Sequence, residues 1–191
     1  MLLAIDIGNT DIVFGIYDSV SWIHQFRISS SLSHRASDYE AQLRMRFLDN
    51  TLKFNDIDKS IISCVVPDQR AVLREMVQQM FSIDPVMVGV EIYDKLKMDI
   101  PSPYEIGTDL VCNAVYAYYT HRQNCLIVDF GTALTFTVVT GEGKILGVSI
   151  APGLQTAVKS LFSNTAQLPE VPLIMPNSAI GNMKAKAVSN P

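Results

Sequence analysis

Two short acidic glycine turns carry the clearest chemistry in this chain. Asp6-Ile7-Gly8-Asn9-Thr10 follows the apolar run Leu2-Leu3-Ala4-Ile5, and Asp129-Phe130-Gly131-Thr132-Ala133 follows Leu126-Ile127-Val128. Each turn re-enters a β-rich run, Ile12 to Tyr17 after the first and Leu134 to Val139 after the second. Glycine lets a backbone approach a phosphate oxygen. Unpaired N–H groups and a hydroxyl donate to the anion. A carboxylate beside phosphate makes sense when it holds magnesium or its waters. One Asp-Gly turn next to a strand is usually only a turn. Two copies, each at the end of an apolar strand, point to a two-lobed phosphotransferase with a nucleoside triphosphate lying between the lobes.

Such an enzyme also needs a group to take the proton from the acceptor hydroxyl. Asp109, in Glu105-Ile106-Gly107-Thr108-Asp109, opens a helix after a proline-bearing loop. It reads equally as that base or as a first-turn acid complementing the helix dipole.

The elements around these residues follow from pattern. Leu2 to Ile7, Ile12 to Tyr17 and Trp22 to Ile28 read as a meander. Ser37 and Glu40 suggest a capping box, with Asp38 in the first turn and Leu43, Phe47 and Leu48 as the helix's apolar face. Ser60 to Val66 is nearly all apolar, as a buried parallel strand should be. Asp68 to Phe81 reads as a helix, with Val72, Met76 and Met80 on one face, and Pro85 to Val88 as a short strand. Lys95 to Pro103 is loop. A helix then runs from about Gly107 to His121, with Val111, Ala114, Val115 and Tyr118 as its buried stripe. The second unit gives strand, turn and strand, then Lys144 to Ile150 and a helix from about Leu154 to Phe162.

Strand, strand, strand, helix therefore repeats 123 residues on, Asp129 against Asp6. The expected fold is α/β, with duplicated ribonuclease H-like (actin-like ATPase) lobes and mixed five-stranded sheets. The lobes are expected at residues 1–121 and 122–191. Applying the offset to the Ser60 and Pro85 strands places their counterparts near 183 and 208, so the second lobe is expected to be incomplete.

Bulk properties narrow the partners. The 191 residues are 48% hydrophobic and 18% charged, with net charge −4. That balance argues against nucleic acid or an anionic membrane as partner. No apolar run is long enough to cross a bilayer and no signal peptide is evident, so a cytoplasmic location is expected. Cys64, Cys112 and Cys125 form no CxxC pair and read as core residues. His24, His34 and His121 lack metal-ligand spacing.

The residues resemble type III pantothenate kinase, of the acetate and sugar kinase/Hsp70/actin superfamily. The likeness runs through the Asp6 to Thr10 turn, Arg27-Ile28-Ser29, Ser37-Asp38-Tyr39, Ser63-Cys64-Val65-Val66-Pro67, Gly107-Thr108-Asp109, Asp129 to Ala133, Ile150-Ala151-Pro152-Gly153 and Leu168-Pro169. It implies phosphorylation of the primary hydroxyl of pantothenate by ATP, the first step of coenzyme A synthesis. It implies that Asp6, Ile7, Gly8, Asn9, Thr10, Asp11, Ile12 and Val13 hold ATP phosphates, with Asp6 near Mg2+. Thr132 would contact the nucleotide, and Asp129 a monovalent cation (K+ or NH4+). Gly107, Thr108 and Asp109 would bind pantothenate, Asp109 as general base, in a homodimer. Ile100, Leu110 and Lys184 stand where the family has an acceptor-contacting tyrosine, an arginine and a threonine. A catalytically impaired, truncated or regulatory nucleotide-binding member is the alternative.

Overall fold

The computed structural model describes residues 1–31, 35–168, 170 and 173. Lys184, Pro169, His34 and the strand position near 183 lie outside the described residues. By its contacts the chain divides into two compact units, residues 1–125 with 139–146 and residues 126–138 with 147–191.

The first unit is built on a five-stranded sheet. β1 (Leu2–Ile7), β2 (Asp11–Tyr17) and β3 (Trp22–Ser29) form an antiparallel meander, and β4 (Lys59–Cys64) and β5 (Val86–Met87) add in parallel, in the order β3-β2-β1-β4-β5. Alternation decides which residues face the main core. Leu3, Ile5 and Ile7 of β1 and Ile12, Phe14 and Ile16 of β2 are buried against α1 (Ala36–Asp49) and α2 (Pro67–Phe81). Period two therefore turns Asp6 to the opposite face. There α3 (Val90–Tyr93) and α4 (Thr108–His121) complete a smaller cluster of Val88, Tyr93 and Val111, with Ile61, Ile100 and Cys112 packed against it.

Helix starts depart from the sequence expectation in one place. Asp38, not Glu40, caps α1: its carboxylate accepts the Arg35 N–H at 2.7 Å. Glu40 instead pairs with Arg44 one turn on, at 2.7 Å. Leu43 and Phe47 are fully buried, but Leu48 is 76% exposed, because the neighbouring position on a helix is turned by about 100°. On α4 the buried set is Leu110, Val111, Ala114 and Ala117. Tyr118 is only half-buried, and Arg122 stacks on its ring. The three cysteines are half-buried rather than core.

The other strands, β6 (Cys125–Phe130), β7 (Ala133–Val139) and β8 (Ile145–Pro152), form a sheet in the order β6-β7-β8, followed by α5 (Leu154–Ser163). Alternate residues Leu126, Val128 and Phe130 of β6 and Leu146, Val148 and Ile150 of β8 are exposed. Among the described residues no strand pairs with the far edge of β6, whereas β1 is flanked on both sides. No described helix is long and apolar enough to cross a membrane.

Candidate active site

The first acidic turn is a tight hairpin end. Gly8 N–H donates to the Asp11 carbonyl at 2.9 Å, and a Cβ on Gly8 would stand 3.1 Å from that oxygen. Asp6, Asn9 and Thr10 are exposed at this rim. Ile7 and Ile12 are fully buried, so only their main chain can serve a ligand, and the Ile7 carbonyl already accepts Val65 N–H at 3.1 Å. Val13 is half-buried opposite Asp6. Asp11 is ion-paired to Arg27 at 2.9 Å, which offsets a carboxylate that would otherwise repel phosphate. The end of β3 braces the turn: Ser30 donates its hydroxyl to the Gly8 carbonyl at 2.6 Å and its N–H to the Thr10 carbonyl at 2.8 Å. Sequence reading missed Ser30, because a brace reaching back 22 residues leaves no local pattern.

Asp109 is brought to the same rim. Strands β1 and β4 run parallel, so their carboxyl ends lie side by side, Asp6 opposite Ser63 and Ile7 opposite Cys64. The Thr108 hydroxyl meets Ser63 Oγ at 3.1 Å and accepts Cys64 N–H at 3.1 Å. That clasp fastens the start of α4 to the end of β4. Asp109 then folds back over the helix end, its Oδ1 accepting Leu110 N–H at 2.8 Å. A Cβ on Gly107 would overlap that Oδ1, so glycine there leaves room for the carboxylate. The Leu110 bond is what a first-turn acid makes, and the half-buried rim position is what a base needs; one conformation satisfies both.

Cys112, one turn along α4, reports how close the two acids are. Burial pushes its thiol up to about 11; the Asp6 charge adds to the rise, a hydrogen bond with Ser63 opposes it, and Asp109 adds again. The unfolded chain releases this proton near 9.0, so folding loses stability as pH climbs from 9 towards 11. At pH 8 the thiolate fraction should be about 100-fold below that of an ordinary cysteine. Iodoacetamide labelling of Cys112 should accelerate by about that factor on unfolding in urea; equal rates before and after unfolding would contradict this placement.

The second turn, in the other unit, is fixed differently. Gly131 N–H donates to the Ala133 carbonyl at 3.0 Å. The Thr132 carbonyl accepts Gly153 N–H at 3.0 Å and the Thr156 hydroxyl at 2.7 Å, so the first turn of α5 is seated on it. Asp129 is half-buried at the end of β6, and Gly131 and Thr132 are exposed. The positive end of α5 beside this turn favours an anion.

These residues fit the groups the resemblance implies. Among the described residues no three His, Cys, Asp or Glu side chains cluster to cage a metal. Magnesium needs no such cage: one carboxylate plus phosphate oxygens and water suffices, and exposed Asp6 beside the glycine turn offers that set. Asp129, half-buried at the end of β6, offers one carboxylate oxygen pair.

Known proteins resemble this chain in sequence and in fold. A family model described as type III pantothenate kinase matches residues 2–190. A type III pantothenate kinase from Treponema pallidum (strain Nichols) is 42% identical over 193 residues, covering 98% of this chain and 71% of that protein. Among solved structures, one assigned to the Baf family of transcriptional activators, from Campylobacter jejuni, is similar in fold. It superposes with TM-score 0.54 at 18% identity, covering 98% of this chain and 72% of that one.

Proposed function

The chain belongs to the type III pantothenate kinase family, and from that premise we propose how its residues divide the work. The reaction is ATP-dependent phosphorylation of pantothenate to 4'-phosphopantothenate, which opens coenzyme A biosynthesis.

The turn from Asp6 to Val13 receives the ATP phosphates through main-chain N–H groups and the Thr10 hydroxyl. Asp6 holds Mg2+, directly or through water, and bound magnesium offsets the charge on the phosphate oxygens. Asp129 holds K+ or NH4+, and Thr132 contacts the nucleotide. Gly107 and Thr108 seat pantothenate at the start of α4. Asp109 accepts the proton of its primary hydroxyl as that oxygen bonds to the γ-phosphorus and the bond to ADP breaks. The transition state of such a transfer is loose, so most of the catalysis is alignment and charge placement.

One observation carries this reading. The Thr108 clasp to Ser63 and Cys64 sets the acid of α4 beside the strand whose neighbour carries Asp6 near its carboxyl end. Ligands of open α/β sheets gather at such carboxyl ends. We read residues 1–121 and 122–191 as two copies of one actin-like ATPase lobe, since each begins with a strand, an acidic glycine turn and a meander. A cytoplasmic homodimer without nucleic-acid or membrane partners completes the reading.

The test is direct. Purified protein with ATP, Mg2+ and K+ should convert pantothenate to 4'-phosphopantothenate, and replacing K+ by Na+ should reduce the rate. No product under any cation would overturn the reading. Equal rates in K+ and Na+ would remove the cation role of Asp129.

A further inference from the structure

Pantothenate carries a carboxylate, and a pocket that selects it needs a cation. The residues nearest Asp109 in sequence do not supply one. Leu110 is buried at 6% exposure, Ile100 packs into the cluster around Tyr93, and Tyr104 is 86% exposed.

Arg70 meets the requirement. It lies in the first turn of α2, which rises from the carboxyl end of β4. Its Nη2 stands 3.7 Å from where a Cβ on Gly89 would sit. Gly89 follows Val88, whose N–H donates to the Ile62 carbonyl at 2.8 Å, so the guanidinium lies where β4 and β5 end. Arg27, Arg44 and Arg74 each pair with a carboxylate. Arg70 is half-buried and makes no ion pair or hydrogen bond among the described residues, although Glu91 Oε2 is near the same Gly89 position. Its charge reaches the Cys64 thiol, which also feels Asp6, and the Tyr93 hydroxyl, which also feels Asp109. A guanidinium withdrawn from water without a partner is costly, and an anionic ligand removes the cost.

We propose that Arg70 binds the carboxylate of pantothenate and sets the preference for that acid over uncharged analogues. The proposal rests on Asp109 marking the acceptor end of the site.

Pantothenol, in which the carboxylate is replaced by a hydroxymethyl group, is the discriminating probe. The unmodified enzyme should use pantothenate with a kcat/KM about 10- to 100-fold above pantothenol, the span of a charge-assisted pair. Arg70→Met should raise KM for pantothenate by about that factor and leave KM for ATP and turnover of pantothenol within about threefold, so that the preference disappears. Arg70→Lys keeps the charge without the fork and should fall between them. It also serves if Arg70→Met does not fold. A preference for pantothenate that is undiminished in either variant, or a change confined to KM for ATP, overturns the proposal. Failure here leaves the Asp109 assignment standing, because that is read from kcat in Asp109→Asn with either acceptor.

Discussion

Asp109→Asn should lower kcat for pantothenate phosphorylation by about 10³-fold, within the range for removing a general base. ATP affinity, measured by calorimetry, should change less than about threefold, since the Asp6 turn is untouched. The substitution separates the two things Asp109 does. Asparagine keeps an Oδ1 that can accept Leu110 N–H, now at 2.8 Å, and so preserves the helix start. It cannot take a proton. The lost charge at the α4 N-terminus should cost only about 0.3–1 kcal/mol of stability. A variant that melts normally and turns over normally would leave Asp109 a helix cap and nothing more.

Gly153→Ala is expected to damage the other turn by space alone. The backbone at 153 has φ −63° and ψ 159°, which alanine adopts freely. Its Cβ, however, would overlap the Gly131 carbonyl and stand 2.7 Å from the Thr132 carbonyl oxygen. Both obstacles are main chain, so neither can swing aside. Either the Asp129 to Ala133 turn shifts or α5 lifts from it, and the Gly153 and Thr156 bonds to Thr132 are lost. Overpacking of this kind costs about 1–3 kcal/mol. KM for ATP should rise about tenfold or more, with KM for pantothenate little changed, because the Thr108 clasp lies in the first unit. A melting temperature and KM for ATP both equal to those of the unmodified protein would show that the seat of α5 has no part in nucleotide binding.

What could be read in advance divides along a physical line. Strands β1, β2 and β4 were legible because alternation or a continuous apolar run is written into consecutive residues. Both long helices that follow β4 were legible to within a residue at their starts, Asp68 against the observed Pro67 and Gly107 against the observed Thr108. The Asp6 and Asp129 turns stood out because glycine, acid and hydroxyl lie within five residues. The clasp between Ser63 and Thr108 spans 45 residues, and Ser30 reaches back 22 to Gly8. Long-range contacts of that kind have no period to detect. α3 was missed because four residues hold barely one turn. Leu48 was placed inside because composition does not fix the phase of a helix, which packing against α2 decides. Nothing in the local sequence around Arg70 distinguishes it, because its position beside Gly89 comes from a segment 19 residues on.

The joint between α4 and β4 has a mechanical meaning. Two contacts, to the Ser63 hydroxyl and the Cys64 amide, hold the helix that carries Asp109, while Asp6 rides on the adjoining strand within the same sheet. The first unit is thus a jig in which proton removal and phosphate alignment share one frame. Warming that loosens the clasp short of melting the sheet should let Asp109 wander while the hairpin keeps its grip, so turnover is expected to fade with heat before nucleotide affinity does.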